Sequence, residues 1–146
     1  MGTTRRAEVT WEGDLMKGKG VVSAKSSNAF STLPVTWAAR TETPDGRTSP
    51  EELVAAAHAS CFAMALSGAL ARANTPPQKL EVAAVVTFDK TDAGWRVTKS
   101  ELEVRGQVPG LDAAGFAKAA EGAKDGCPIS NALKGNVALS VRATLL

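Results

Sequence analysis

The stretch from Leu53 to Ala73, LVAAAHASCFAMALSGALARA, constrains the fold more than any other part of the chain. It is nearly long enough to span a bilayer. It is rich in alanine, which supplies little insertion energy, and it is interrupted by His58, Ser60, Ser67 and Gly68. Its start carries helix signals. Ser49 is a cap, Pro50 suits the first helical position, and Glu52 sits three residues after Ser49, the spacing of a capping box. It stops before NTPPQ at residues 74–78. A helix apolar on every face belongs at the centre of a soluble fold, with the rest of the chain arranged to cover it.

The 146 residues are enough for one domain, residues 1–146, with a sizeable core. The formal charge of +2 is too small to argue for nucleic acid or a membrane surface, and no basic run interleaves with aromatic residues. Two cysteines cannot build a secreted disulfide framework, so the expected compartment is the reducing cytoplasm. The N-terminal MGTTRR carries no readable address. Arg6 stands where a myristoylation signal needs Ser or Thr. The twin arginine is followed by AEVTWEGD instead of an apolar segment.

The flanking segments alternate as strands do. RRAEVTWEGD, GKGVVSAKSS and LPVTWAAR are three strand candidates, and TETPDGRTSP is a loop that turns at Pro44, Asp45 and Gly46. Beyond the long helix, Leu80, Val82, Ala84, Val86 and Phe88 share one strand face, and DKTDAG turns the chain back. Trp95 and Val97 are out of phase with Leu102 and Val104, which predicts a bulge at residues 98–101. LDAAGFAKAAEGAK reads as a helix capped by Asp112 and stopped at Gly126. A short helix follows from Cys127-Pro128 to near Gly135, and NVALSVRATLL closes as a strand. Strands and helices segregate within each half, so the class is α+β.

The two cysteines raise the functional question. Cys61 lies ten residues after Glu51, in the middle of the long helix, where an apolar site raises a thiol pKa; to react it needs a cation from elsewhere. Cys127 precedes a proline at a helix start, where free N–H groups favour a thiolate. On local grounds Cys127 is the better nucleophile; inert packing of both as small hydrophobes is the competing reading. His58, one turn before Cys61, is read as a packing or hydrogen-bonding residue in preference to a base. Trp11, Trp37 and Trp95 are core or interface anchors, with a substrate entrance as the alternative. Gly18 and Gly20 form no phosphate loop. No His/Cys cluster has metal-ligand spacing.

SPEELVAAAHASCFAMALS at 49–67 and GCPISNAL at 126–133 resemble the two cysteine motifs of the OsmC/Ohr family, closer to the OsmC branch. WEGD, GKG, TDAGWRVTK and VPGLDA extend the resemblance over essentially the whole chain. The resemblance implies an OsmC-like fold, in which antiparallel sheets pack around a central cysteine-bearing helix, and an intertwined homodimer with its active site at the interface. It also implies a thiol peroxidase that reduces organic hydroperoxides, and hydrogen peroxide less well, without metal, haem or flavin. Cys61 matches the peroxidatic cysteine, Cys127 the resolving one, and Glu51 the glutamate ten residues before the first. Arg40 matches the arginine that pairs with the thiolate, with Arg47 as the competing candidate. The reductant implied is a dithiol, from a lipoyl-bearing protein or a small thiol.

In that scheme Arg40 supplies the missing cation and Glu51 fixes its direction through a forked hydrogen bond. Cys61 becomes a sulfenic acid that Cys127 captures as a disulfide. Two readings from other classes stand beside it. One is a non-catalytic protein of the same fold that binds apolar small molecules. The other is a structural Cys61–Cys127 disulfide, which a reducing cytosol disfavours.

Overall fold

The computed structural model describes residues 1–146. The chain divides into two compact units, Met1–Leu53 and Val54–Leu146. The first holds β1 (Ala7–Glu12), β2 (Lys19–Ala24) and β3 (Leu33–Val35) in one antiparallel sheet of that order, then α1 (Trp37–Thr41). Helix α2 (Pro50–Arg72) begins at its end and runs on in the second unit. That unit also contains β4 (Lys79–Thr91), β5 (Gly94–Gln107), α3 (Ala113–Gly126), α4 (Pro128–Leu133) and β6 (Ala138–Leu145), with β5 central in a three-stranded sheet.

The helix starts follow the side chains expected at them. Ser49 Oγ accepts the Glu52 N–H at 3.1 Å. Glu52 leaves its half of the capping box open and accepts the Thr48 hydroxyl at 2.7 Å instead. Asp112 caps α3 through the Gly115 N–H at 2.7 Å. The segment LPVTWAAR departs from the expected strand. Only Leu33–Val35 pairs, because Thr36 turns the chain by accepting the Ala39 N–H at 3.1 Å and starts α1.

The expected bulge is present. Thr87 pairs with Lys99 and Phe88 with Val97, which leaves Thr98 over. The all-antiparallel arrangement needs correction at one pair. β6 runs parallel to β5, from Lys99↔Ala138 to Gly106↔Leu145. A parallel neighbour requires a long crossover, and α3 and α4 lie in that connection.

The core of the second unit forms where one stripe of α2 meets the sheet and α3. Phe62, Leu66 and Leu70 are buried with Leu102 and Val104 of β5 and with Phe116, Ala120 and Ala123 of α3. His58 continues the stripe at the same four-residue spacing. Helix α2 is long and apolar enough to cross a membrane. Burial on every face does not occur within the chain. Ala56, Ser60 and Met64 form an exposed stripe, with Met64 70% exposed, because sheet and α3 cover one side of the helix only.

Gly106 marks a close approach inside this core, since a Cβ there would lie 2.5 Å from Cζ of the buried Phe116. Gly106→Ala therefore forces the ring or the strand to shift. Its expected cost is about 1–3 kcal/mol, read by urea denaturation; a change below about 0.5 kcal/mol would contradict this packing.

Candidate functional site

The structure brings the candidate residues together as two pairs, one in each unit. In the first unit Arg40 comes from the last turn of α1 and Glu51 from the first turn of α2. The Thr48 N–H donates to the Pro34 carbonyl at 3.0 Å, which brings the loop after α1 back alongside β3 just before α2 begins. Arg40 Nε then donates to both Glu51 oxygens at 3.1 Å, and Nη2 donates to Oε1 at 2.8 Å. Glu51 is buried and Arg40 half-buried. A charge-assisted fork with so little freedom holds the guanidinium in one direction. Arg47 does not join it; that arginine pairs with exposed Asp45 at 3.4 Å.

The same unit holds a cavity of about 350 Å³ with Arg40 in its wall. The rest of the lining is mostly apolar and includes Val9, Trp11, Leu15, Trp37 and Leu53. The Arg40 guanidinium also stands 5.8 Å from the centre of the Trp37 ring. Two of the three tryptophans thus face a cavity, while Trp95 stacks on Phe88 at 4.9 Å.

In the second unit Cys61 packs against the core cluster to which Cys127 belongs, and the two thiols are close enough to act on each other's ionisation. Both are free thiols, Cys61 half-buried and Cys127 fully buried. Burial pushes the Cys61 thiol up, and the hydrogen bond to Cys127 pushes it the same way; the Ile129 N–H opposes them. Burial would also raise Cys127, but it is outweighed there. The Cys61 thiol, the N–H and hydroxyl of Ser130 and the Ile129 N–H hold Cys127 below the usual thiol range. Cys127 is the N-cap of α4 and closes no strict capping hydrogen bond. The N–H dipoles of the first turn nonetheless act on its sulfur, as its place before Pro128 suggests.

His58 is fully buried beside this pair. Its Nδ1 meets Ser100 Oγ of β5 at 2.7 Å and its Nε2 meets Ser130 Oγ of α4 at 2.8 Å. The histidine is a hydrogen-bonding residue, as its sequence position suggests. Its serine partners carry no signal in the sequence, being 42 and 72 residues away.

Residues 43–142 match the model of the OsmC-like protein family. The chain is 42% identical to Peroxiredoxin OsmC of Escherichia coli (strain K12) over 135 residues, 92% of this chain and 93% of that protein. The chain belongs to the OsmC-like family. It is also 32% identical, over 62% of each chain, to the Organic hydroperoxide resistance protein of Xanthomonas axonopodis pv. citri (strain 306). Among solved structures, the organic hydroperoxide resistance protein OhrB of Bacillus subtilis shares the fold with a TM-score of 0.75. It is 23% identical, covering 95% of this chain and 98% of that one. An OsmC-like protein of Mycoplasma pneumoniae, 14% identical, also gives 0.75, over 100% of this chain and 99% of its own. The α+β OsmC/Ohr fold expected from the motifs is therefore the fold of this protein.

Burial is the one cause that holds His58 below its ordinary value of 6.5. The unfolded chain then binds more protons than the folded one as pH falls through that value. The stability that neutral His58 confers is complete above about 6.5 and declines below it. Unfolding midpoints measured between about pH 7.5 and 5.5 should fall more steeply in the native protein than in His58→Gln. Equal slopes would contradict the buried, neutral histidine.

Proposed function

We propose that this chain is a thiol peroxidase of the cytoplasm that reduces organic hydroperoxides, and hydrogen peroxide less well, in oxidative and osmotic stress. The observation that carries the proposal is the contact between a half-buried Cys61 and a buried Cys127 in a chain of this family. Peroxide reaches Cys61 first, because Cys127 has no exposed surface. The Cys61 thiolate attacks the terminal peroxide oxygen, the O–O bond breaks, and the alkoxide leaves and takes up a proton. Cys127 then attacks the sulfenic sulfur, forming the S–S bond and releasing the oxygen as water. A dithiol, from a lipoyl-bearing protein or a small thiol, restores both thiols. No metal or organic cofactor takes part.

Burial works against a Cys61 thiolate, so the reaction requires a fixed cation. Arg40, held by Glu51, is the cation in this proposal, and the apolar cavity beside it suits the alkyl part of an organic hydroperoxide. The functional form is an intertwined homodimer of single 1–146 domains, in which Arg40 of one protomer faces Cys61 of the other. The exposed Ala56, Ser60 and Met64 stripe of α2 supports such an assembly, since it leaves an apolar helix face to cover. Sedimentation should give a dimer; a stable, active monomer would contradict it.

The thiol roles are read from dithiol consumption driven by an organic hydroperoxide. Cys61→Ser should abolish it, and Cys127→Ser should support one turnover and leave a Cys61 sulfenic acid that dimedone traps. The directions of the two thiol pKa values favour a second order, in which Cys127 attacks first. That order predicts an oxidised Cys127 in the Cys61→Ser protein, and such a product would reverse the roles. Arg40→Ala should raise the pH at which Cys61 is alkylated by about one to three pH units. The same shift in Arg47→Ala, with none in Arg40→Ala, would refute the arginine assignment.

A further inference from the structure

The thiol chemistry leaves one buried titratable group unused. His58 has no exposed surface, and both of its ring nitrogens are engaged, by Ser100 on β5 and Ser130 on α4. On α2, His58 and Cys61 are three residues apart and so share a face. On the opposing segment, Cys127 and Ser130 are also three apart, across the first turn of α4. The two pairs meet rung by rung: Cys61 contacts Cys127, and His58 contacts Ser130. Cys127 is the N-cap of α4 and Ser130 lies in its first turn, where the Ser130 hydroxyl favours the ionised Cys127 sulfur. Ser100, His58 and Ser130 therefore form one hydrogen-bonded chain through an otherwise apolar core, and it ends in the first turn of the helix that Cys127 caps.

Such a chain has a direction. Neutral imidazole donates from one nitrogen and accepts at the other, and a hydroxyl gives a single proton. If Ser130 gives its proton to the Cys127 thiolate, its oxygen accepts the His58 Nε2–H, and Nδ1 accepts the Ser100 hydroxyl. If Cys127 is instead a thiol giving its proton to Ser130, each bond reverses, and the proton of His58 sits on Nδ1. Wherever the Ser130 hydroxyl faces the Cys127 sulfur, the protonation of Cys127 and the tautomer of His58 are coupled through it.

We propose that His58 is a positioning residue for the resolving step: held between Ser100 and Ser130, it turns the Ser130 hydroxyl proton onto Cys127 and keeps that sulfur ready to attack. The assignment of the step rests on the peroxidase reading above. In that step Cys127 attacks the sulfur of Cys61–SOH, the S–S bond forms and the S–O bond breaks. The departing hydroxide is protonated to water. The proton count closes because Cys127 has already released its proton to solvent, and the proton taken by hydroxide replaces it. His58 itself gains and loses no proton overall. It fixes which atom the Ser130 hydroxyl faces while Cys127 is ionised.

The relay is tested in the reduced protein without peroxide, so its failure and that of the peroxidase reading are distinguishable. In Cys61→Ser only one thiol remains, and its thiolate absorbance reports Cys127 alone. Adding Ser130→Ala should raise the Cys127 titration midpoint by about one to two pH units. His58→Leu should raise it in the same direction, and Ser130→Thr, which keeps the hydroxyl, should leave it in place. A second readout needs no change at His58. As the chain has one histidine, nitrogen NMR reads its tautomer without ambiguity. With Cys127 ionised, the proton should sit on Nε2, and in Cys127→Ala that preference should weaken. A shift in Ser130→Ala with none in a folded His58→Leu would mean that Ser130 acts alone, and would overturn the proposal. If His58→Leu does not fold, an Nδ1–H tautomer beside the ionised thiol overturns it equally.

Discussion

The placement of Cys61 depends on how α2 is seated, and a buried histidine fixes that seating. Apolar contacts alone allow a helix to slide or turn by small amounts, because one methyl group resembles another. A buried imidazole does not, since each nitrogen needs a partner in a particular direction and an unmet one costs about 1–3 kcal/mol. His58 finds one partner on β5 and the other on α4. Those two bonds set the height of α2 on the sheet and its rotation toward α4. With both fixed, Cys61, one turn further along, arrives opposite Cys127.

The two candidate pairs are built on different principles. Arg40 and Glu51 are neighbours across one loop, and their bond is a charged fork at the edge of an apolar cavity. The thiols come from distant segments and meet at the edge of the packed core. Burial raises both sulfurs; at Cys61 only the Ile129 N–H opposes it, whereas at Cys127 the Cys61 thiol and the donors of Ser130 and Ile129 together outweigh it. Cys61 lies mid-helix, so its own helix offers it no free N–H group. The two cysteines thus differ in surroundings: one is half-buried with a single opposing N–H, the other is fully buried and supplied with several hydrogen-bond donors, and the proposed division of tasks builds on that difference.

Local features were legible in the sequence wherever a side chain near in sequence decided them. Ser49 and Asp112 cap where expected, and the phase slip between Val97 and Leu102 becomes the bulge at Thr98. The α+β class and the segregated sheets follow from the same patterning. The direction of β6 was not legible, because alternation of apolar residues is the same for parallel and antiparallel neighbours. Helix α1 was missed for a related reason: TWAAR is too short to show a period, and its cap at Thr36 looks like a strand residue. In the site, Glu51 and the two cysteines stand in recognisable motifs. The Ser100 and Ser130 partners of His58 do not, since each is joined to it only by the fold.

The central claim is that the two thiols are halves of one reaction. Peptide mapping of the native chain after one equivalent of an organic hydroperoxide tests it most directly. The account predicts one alcohol formed per chain, both thiols lost, and a single Cys61–Cys127 disulfide within the chain. Both thiols still reduced, or a disulfide that joins two chains in place of the internal one, would contradict it.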